Sequence, residues 1–201
     1  MALLALGLAA QLVAVPPQQP SPQQKVDLSA RWEPPVLHTT AFLTGLRYIE
    51  AYLYPHPFAE GNFEHIFERY RDTYTHWPIF DSDKPAFEWD GDSWRINVIG
   101  HGLMGSELYT RARICHFGWA GSLAFAIGST VAWEYVFEGN GVRPSLWDLT
   151  YTPLSGLLLG EARYLIYRTA QSLDSPTARN ILSAIADPFG EMERHWLGSP
   201  C

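Results

Sequence analysis

Charged side chains are scarce in this sequence of 201 residues, in which Asp, Glu, Lys and Arg together make up 17%. An ordinary soluble domain carries about 25%. Lys and Arg number 14 against 21 Asp and Glu, which gives a net charge of −7. Because nucleic acids and anionic lipids attract basic surfaces, this balance argues against a nucleic-acid partner and against purely electrostatic docking on anionic lipid.

Cysteine is also scarce, with two residues in the whole sequence. Cys115 lies in an apolar helical stretch and Cys201 is the last residue, which is a poor disulfide framework. We therefore expect Cys115 to be a small buried hydrophobic residue and Cys201 to be a tail residue. Neither cysteine then identifies the redox compartment.

Established catalytic and metal-binding signatures are missing. The sequence has no Glu-x-x-His or His-Glu-x-x-His, and neither Ser122 nor Ser129 lies in Gly-x-Ser-x-Gly. The acidic segment 78–92 lacks the spacing of a calcium loop, so we interpret it as a solvated loop with aromatic anchors. Any chemistry must come from residues that the fold brings together.

Aromatic residues are abundant, with 8 Trp, 10 Tyr and 10 Phe. This composition suits a protein that buries much of its surface or contacts a bilayer interface, where Trp and Tyr are favoured. Residues 1–15 form an apolar run that is too short to span a bilayer and resembles the apolar region of a secretory signal, although no Lys or Arg precedes it. We expect a periplasmic, membrane-associated protein of the cell envelope.

The domain organisation follows from composition. Residues 1–24 are predicted to be a signal-like segment followed by a Pro/Gln-rich linker, and residues 25–201 a single helical domain with its core at 94–171. Apolar periodicity predicts an all-α fold, a compact bundle of about five to seven helices with a Gly/Ser-rich central helix pair. The expected helices lie at 37–53, 62–74, 94–115, 116–138 and 145–171, with one more in the tail. The segment 116–138 is also long enough for a full membrane span.

A set of polar residues interrupts the apolar helices of the core. Its members are Asn97, His101, Glu134, Glu138, Asp148 and Glu161. Buried carboxylates raise their pKa, pair with a cation or bind a metal. We therefore expect the helices to bring these groups together.

Several interpretations of this set remain open, and one of them is the binding of a ligand or a lipid. In another, the set is a structural network that locks the helices together with Asn97, Tyr109, Arg111 and Arg113. In a third, His101, Glu134 and Glu161 form an acid/base catalytic group. In a fourth, His101, Glu134, Glu138 and Asp148 form a metal site, because imidazole and carboxylate ligands suit zinc, iron or manganese.

An ordered series of residues resembles a known family. The series is Asn97-x-x-x-His101, Gly105-Ser106, Tyr109 with Arg113, Ser129 with Trp133-Glu134, Glu138, Ser145 with Asp148-Leu149, Thr152-Pro153, Gly156 and Gly160-Glu161. Together it looks like the bacterial domain of unknown function numbered 3943, over roughly residues 80–168, with Gly102 where that family usually has Pro. The order of His, Glu and Asp is also loosely similar to VanZ-like membrane proteins. The resemblance implies a helical envelope protein and no particular activity or cofactor.

The sequence therefore predicts a membrane-associated envelope protein that acts as a non-enzymatic scaffold or as a lipid- or pigment-binding subunit. The alternative is a membrane-associated hydrolase or metal-dependent enzyme that uses His101 with Glu134 and Glu161. The expected partner is a membrane or a membrane protein. The sequence predicts neither the cofactor nor the oligomeric state.

Overall fold

The computed structural model describes residues 31–201, and the regular elements in this range are helices, apart from one isolated bridge between Ile79 and Ser145. The prediction of an all-α fold is confirmed. If each π-helical turn is counted with the α-helix that it continues, the described residues form eight helices, slightly more than predicted. The apolar run, the linker and the predicted boundary at residue 25 lie outside the described residues.

The helices are numbered in chain order. They are α1 (Glu33–Leu53), the single turn α2 (Pro55–Phe58), α3 (Phe63–Thr75), α4 (Arg95–Gly100 and His101–Ile114), α5 (Trp119–Ala132 and Trp133–Phe137), α6 (Leu146–Ser155, Gly156–Gly160 and Glu161–Gln171), α7 (Pro176–Ala186) and α8 (Pro188–Leu197). Side-chain caps begin several of them, because Ser, Asp and Asn accept hydrogen bonds from free amides of the first turn. The capping residues are Asn62, Ser145, Ser175 and Asp187.

Helix α4 lies at the centre of the bundle and contacts α1, α5 and α6. Its residues Leu108, Tyr109 and Arg111 are completely buried. Glycine allows α6 to approach it closely, since a methyl group added at Gly156 would lie 2.6 Å from the carbonyl oxygen of Gly105. The small residues of the core sequence thus bring two backbones together, and with them the side chains that each carries.

The prediction for the cysteines is wrong. Cys115 and Cys201 form a disulfide that joins the end of α4 to the residues after α8. The backbone carbonyl of Cys201 also accepts hydrogen bonds from Arg111 and Arg194, which hold it beside Cys115. A pair that is 86 residues apart in sequence gives no local signal of its proximity.

Membrane-spanning helices are not found among residues 31–201. No helix in this range is both long enough and apolar enough to cross a bilayer, and this includes the segment 116–138.

Candidate functional site

Three ionisable side chains from three different helices meet in the core. His101 comes from α4, Glu134 from α5 and Asp148 from α6, and one ligand atom of each lies within 4.8 Å of the other two. All three are almost completely buried, with exposed fractions of 6%, 2% and 3%. We call these three residues the triad.

A π-helical turn lies next to two members of the triad, His101 and Glu134. Arg95–Gly100 ends immediately before His101, Trp133–Phe137 contains Glu134, and Gly156–Gly160 follows the segment that carries Asp148. A π turn holds one extra residue and so rotates the following side chains around the helix axis, and such turns are frequent at functional sites. The helices that carry His101 and Glu134 are therefore locally adjusted at the level of the triad.

The ring of His101 is oriented by a hydroxyl group. Its Nδ1 lies 3.0 Å from Thr152 Oγ1, one turn beyond Asp148 on α6. If Nδ1–H donates to this hydroxyl, Nε2 carries a lone pair, which is the tautomer that a metal-binding histidine needs. Nε2 faces Asp148 Oδ2 at 3.5 Å.

The two carboxylates of the triad are held at the N-terminus of α6. Glu134 Oε2 accepts a hydrogen bond of 2.8 Å from the backbone N–H of Ser145, and Ser145 Oγ caps the helix by accepting from the N–H of Asp148. The other oxygens, Glu134 Oε1 and Asp148 Oδ1, are buried and have no hydrogen-bond partner among the described residues. Burying such atoms is costly unless they are protonated or coordinate a cation.

Asp90 lies next to the triad and accepts hydrogen bonds from the residues around it. Its Oδ2 accepts a hydrogen bond of 2.6 Å from Ser145 Oγ, and its Oδ1 accepts one of 2.7 Å from Asn97 Nδ2. Burial raises the pKa of Asp90, but these hydrogen bonds outweigh it, so the pKa lies below its usual value. Sequence analysis placed Asp90 in a solvated loop and missed this role. The Asp90-Gly91-Asp92 turn directly before α4 was the available signal.

The aromatic anchors expected in the loop 78–92 are present. Phe87 and Trp89 pack on Trp147, with ring centroids 5.4 and 4.9 Å away, and Trp147 stacks on Tyr151 at 4.9 Å. This aromatic cluster attaches the loop that carries Asp90 to the first turn of α6. It therefore fixes Asp90, Ser145 and Asp148 relative to one another.

The electrostatics of the triad are dominated by burial and negative charge. Burial lowers the pKa of His101 to about 4, partly opposed by the charge of Asp90. Burial raises the pKa of Glu134 to about 8 despite the Ser145 N–H, and nearby carboxylates add to the effect. Burial and the charges of Glu134 and Asp90 raise the pKa of Asp148 to about 9. Near pH 7 and without a bound cation, the triad holds protons that a metal ion would displace.

The other residues predicted for the site lie at varying distances from the triad. Glu138 lies outside the group of three, at the C-terminal end of α5, and burial raises its pKa well above the usual value. Glu161 does not join the triad. It pairs with Arg113 at 2.8 Å and accepts a hydrogen bond from Tyr109. Arg111 lies elsewhere on α4, paired with Asp187 at 3.2 Å.

Cation binding is one chemistry open to the triad. One imidazole and two carboxylates suit zinc, iron or manganese, and their separations allow one ion to contact all three. Their low exposure leaves little room for a substrate beside the ligands. This distinguishes the site from an open catalytic metal site, which keeps one position accessible.

Comparisons with known proteins identify one family. A family model described as "Domain of unknown function (DUF3943)" matches residues 86–189, just over half of the chain. The match includes His101, Glu134 and Asp148, and it gives no support to the looser similarity to VanZ-like proteins. No curated protein and no solved structure matches the chain.

Proposed function

The chain belongs to the DUF3943 family, and from this premise we propose that it is a non-enzymatic envelope protein whose helical core is held together by one divalent transition-metal ion at the triad. His101 Nε2 and one oxygen each of Glu134 and Asp148 would be the ligands. The ion would join α4, α5 and α6.

One observation carries this proposal: three potential ligand atoms from three helices converge in the buried triad. His101 Nε2 and Asp148 Oδ2 are 3.5 Å apart, and Glu134 Oε1 and Asp148 Oδ1 have no hydrogen-bond partner among the described residues. Either protons or a cation must lie between such atoms. A divalent ion satisfies all of them at once and removes the repulsion among the carboxylates.

The low exposure of the triad favours a structural role for the ion over a catalytic one. Structural metal sites are closed and contribute directly to folding, whereas catalytic sites keep an open coordination position. The position of Glu161, paired with Arg113, also removes one residue from the hydrolase alternative. The alternative enzyme would have to work with His101, Glu134 and Asp148 alone.

The disulfide supports the proposed location in the envelope. Disulfides persist in oxidising compartments such as the periplasm and are rare in the cytosol. Both Cys115 and Cys201 are buried, with exposed fractions of 0% and 4%, which fits a structural bond.

The outer face of α1 supports membrane or lipid association. Its exposed positions between residues 36 and 53 carry no charged side chain, and they include Leu37, Tyr48 and Tyr52, which are 71%, 74% and 85% exposed. The same face borders a groove of about 400 Å³ between α1 and α8, lined by residues such as Leu46 and Trp196. Apolar surface of this kind marks contact sites for lipid or protein. The net charge of −7 favours neutral over anionic lipid.

Elemental analysis of the purified chain tests the metal proposal. The wild type should carry about one equivalent of zinc, iron or manganese per chain, and His101→Ala and Glu134→Gln should lose it. Glu68→Gln, on the exposed side of α3, is the matched control and should keep the metal. A wild type that takes up none of these ions after dialysis against each would refute the proposal.

Flotation with phosphatidylcholine vesicles tests the membrane proposal separately. The wild type should float with the vesicles, and the double substitution Ile49→Asp and Tyr52→Asp on α1 should remain at the bottom of the gradient. Equal behaviour of the two proteins would exclude α1 as the contact surface.

A further inference from the structure

An open groove lies between α1 and α8. Its volume is about 400 Å³, which falls within the range of roughly 300–1,000 Å³ that small-molecule pockets occupy. Its lining residues from α1 lie between positions 38 and 49, and those from α8 lie between positions 189 and 197. Both helices contribute side chains at intervals of three or four positions, so each presents one face to the groove. The groove is therefore formed by regular helix faces and not by a loop.

Small residues of α1 keep the groove open. Ala41 and Gly45 lie four positions apart on its α1 side, and a methyl group added at Gly45 would have no atom within 4 Å. On the α8 side, large apolar side chains stay in contact with solvent, since Trp196 and Leu197 are 70% and 79% exposed. Exposed apolar surface in a concave site favours an apolar ligand that removes this surface from water.

The aromatic residues of the groove pack against one another. Phe42 and Phe189 have ring centroids 5.6 Å apart, and the ring of His38 stacks on Phe42 at 5.9 Å. Among the described residues, the only ionisable side chains that line the groove are His38 and Glu193, and His38 Nδ1 lies 2.6 Å from Glu193 Oε1. Because these two groups pair with each other, the groove offers a ligand no free charge.

The size and polarity of the groove restrict its ligand. An extended peptide brings one N–H and one carbonyl group per residue, and these need hydrogen-bond partners that an apolar lining does not supply. An α-helix about 10 Å across occupies roughly 400 Å³ per turn, so the groove holds only about one turn, far less than a stable protein interface buries. A hydrocarbon chain is narrower and has no polar atoms to satisfy. The ligand class that fits the groove is an acyl chain.

We propose that this groove binds one acyl chain of a neutral phospholipid. The chain lies over Ala41 and Gly45 and covers the exposed side chains of Trp196 and Leu197. A neutral head group fits because the net charge of −7 repels anionic lipids. This inference rests on the proposed lipid association and adds to it the class of ligand and the place where a single lipid is held. The outer face of α1 contacts the bilayer, whereas the groove takes one chain out of it.

Binding of palmitoyl lysophosphatidylcholine, a neutral lipid with a single acyl chain, tests this site. Native mass spectrometry of the full chain, with the lipid below its micelle concentration, should detect one bound molecule per chain. Gly45→Leu should bind the lipid at least about tenfold more weakly, because the leucine side chain extends into the groove.

Gly128→Leu is the matched control for this measurement. Gly128 also lies inside a helix, α5, where an added methyl group would have no atom within 4 Å, but it does not line the groove. This variant should bind the lipid as the wild type does. Leucine has a higher helix propensity than glycine, so both variants should fold, which circular dichroism checks.

The outcomes separate this site from the proposed membrane association. If the wild type floats with vesicles but binds no lysolipid, the groove site is refuted and the membrane contact stands. If it neither floats nor binds, both proposals fail. If Gly45→Leu binds as strongly as the wild type, or if Gly128→Leu is the variant that loses the lipid, the chain is held elsewhere and the site is refuted.

Light scattering tests the competing occupant, a second copy of the protein. A wild-type dimer that Gly45→Leu converts to a monomer would place the second copy in the groove and refute the acyl-chain site. Loss of the lysolipid in Gly45→Leu, with flotation retained because Ile49 and Tyr52 are unchanged, supports the site.

Discussion

Two buried polar groups contact α4, and they differ in whether arginine side chains pair with their carboxylates. The first group is the triad. The second group, the ion-pair network, joins α1, α4, α6 and α8 with the residue before α8. Its members are His38, Glu107, Arg111, Arg163, Asp187, Glu193 and Arg194. In the network, Glu107 pairs with Arg163 at 2.6 Å, and Asp187 pairs with Arg111 at 3.2 Å and with Arg194 at 2.7 Å.

Equal burial has opposite consequences in the two groups. Glu107, Glu134 and Asp148 have exposed fractions of 3%, 2% and 3%. Burial would raise the pKa of each, but the His38 imidazole, whose Nε2 lies 3.2 Å from Glu107 Oε1, and the charge of Arg163 lower that of Glu107 to about 2. Neither Glu134 nor Asp148 has an arginine partner, and their pKa values rise to about 8 and about 9. The chain supplies the cations of the network, whereas in the triad the proposed metal ion would take that place.

The largest expected effect comes from removing a cation of the network. Arg111→Met should lower the free energy of unfolding by about 3–5 kcal/mol, because it leaves the fully buried Asp187 and the carbonyl of Cys201 each short of one partner. Guanidinium denaturation with the disulfide intact measures this loss.

Arg71→Met on the exposed side of α3 is the control for that measurement and should change stability by no more than about 0.5 kcal/mol. If Arg111→Met costs less than about 1 kcal/mol, the network contributes little to stability and the contrast between the two groups does not hold.

A cation supplied to the triad should have the next largest effect. At a free metal concentration about 100 times the dissociation constant, the wild type should gain about 2.7 kcal/mol of stability, since the ion binds the folded state. Denaturation with and without a chelator measures the gain. Glu134→Gln should show none of it, whereas Glu107→Gln, with its substitution in the network, should show all of it. Equal gains in both variants would place the ion away from the triad.

A change of pH should have a somewhat smaller effect on stability, and it sharpens the comparison between the two groups. The pKa of Glu107 is about 2 in the folded protein against a usual value of 4.5. Its ionised form therefore stabilises the fold above about pH 4.5, and this contribution disappears as the pH falls from about 4.5 to about 2. The stability difference between wild type and Glu107→Gln should shrink by about 2 kcal/mol between pH 6 and pH 3. Urea denaturation across this range measures it, and a constant difference would contradict the assignment.

Sequence analysis predicted much of the helical framework and the members of the triad. Apolar periodicity identified the three central helices, and His101, Glu134 and Asp148 stood out as ionisable groups within them. The sequence predicted a Gly/Ser-rich central helix pair, and the structure shows a close approach of α4 and α6 at Gly105 and Gly156, which only a missing side chain allows.

Other features depend on tertiary structure and have no local signal. The disulfide joins residues that are 86 positions apart, and Asp90 reaches the site through a loop whose aromatic anchors pack on Trp147. Glu161 follows a π turn, Gly156–Gly160, which a regular 3.6-residue period does not include. Counting helical faces from the sequence therefore could not separate Glu161 from the triad.

Substitution of Glu161 should have the smallest effect on stability, and it gives the most selective test of this comparison. It forms two contacts with Arg113, at 2.8 and 3.0 Å, and accepts from Tyr109, but its side chain is 29% exposed. Glu161→Gln should cost no more than about 1 kcal/mol, because solvent screens a partly exposed pair. It should also leave the metal content unchanged, in contrast to Glu134→Gln. Loss of metal in Glu161→Gln would show that the pair with Arg113 positions the triad across α6, and the two carboxylates would then belong to one functional unit.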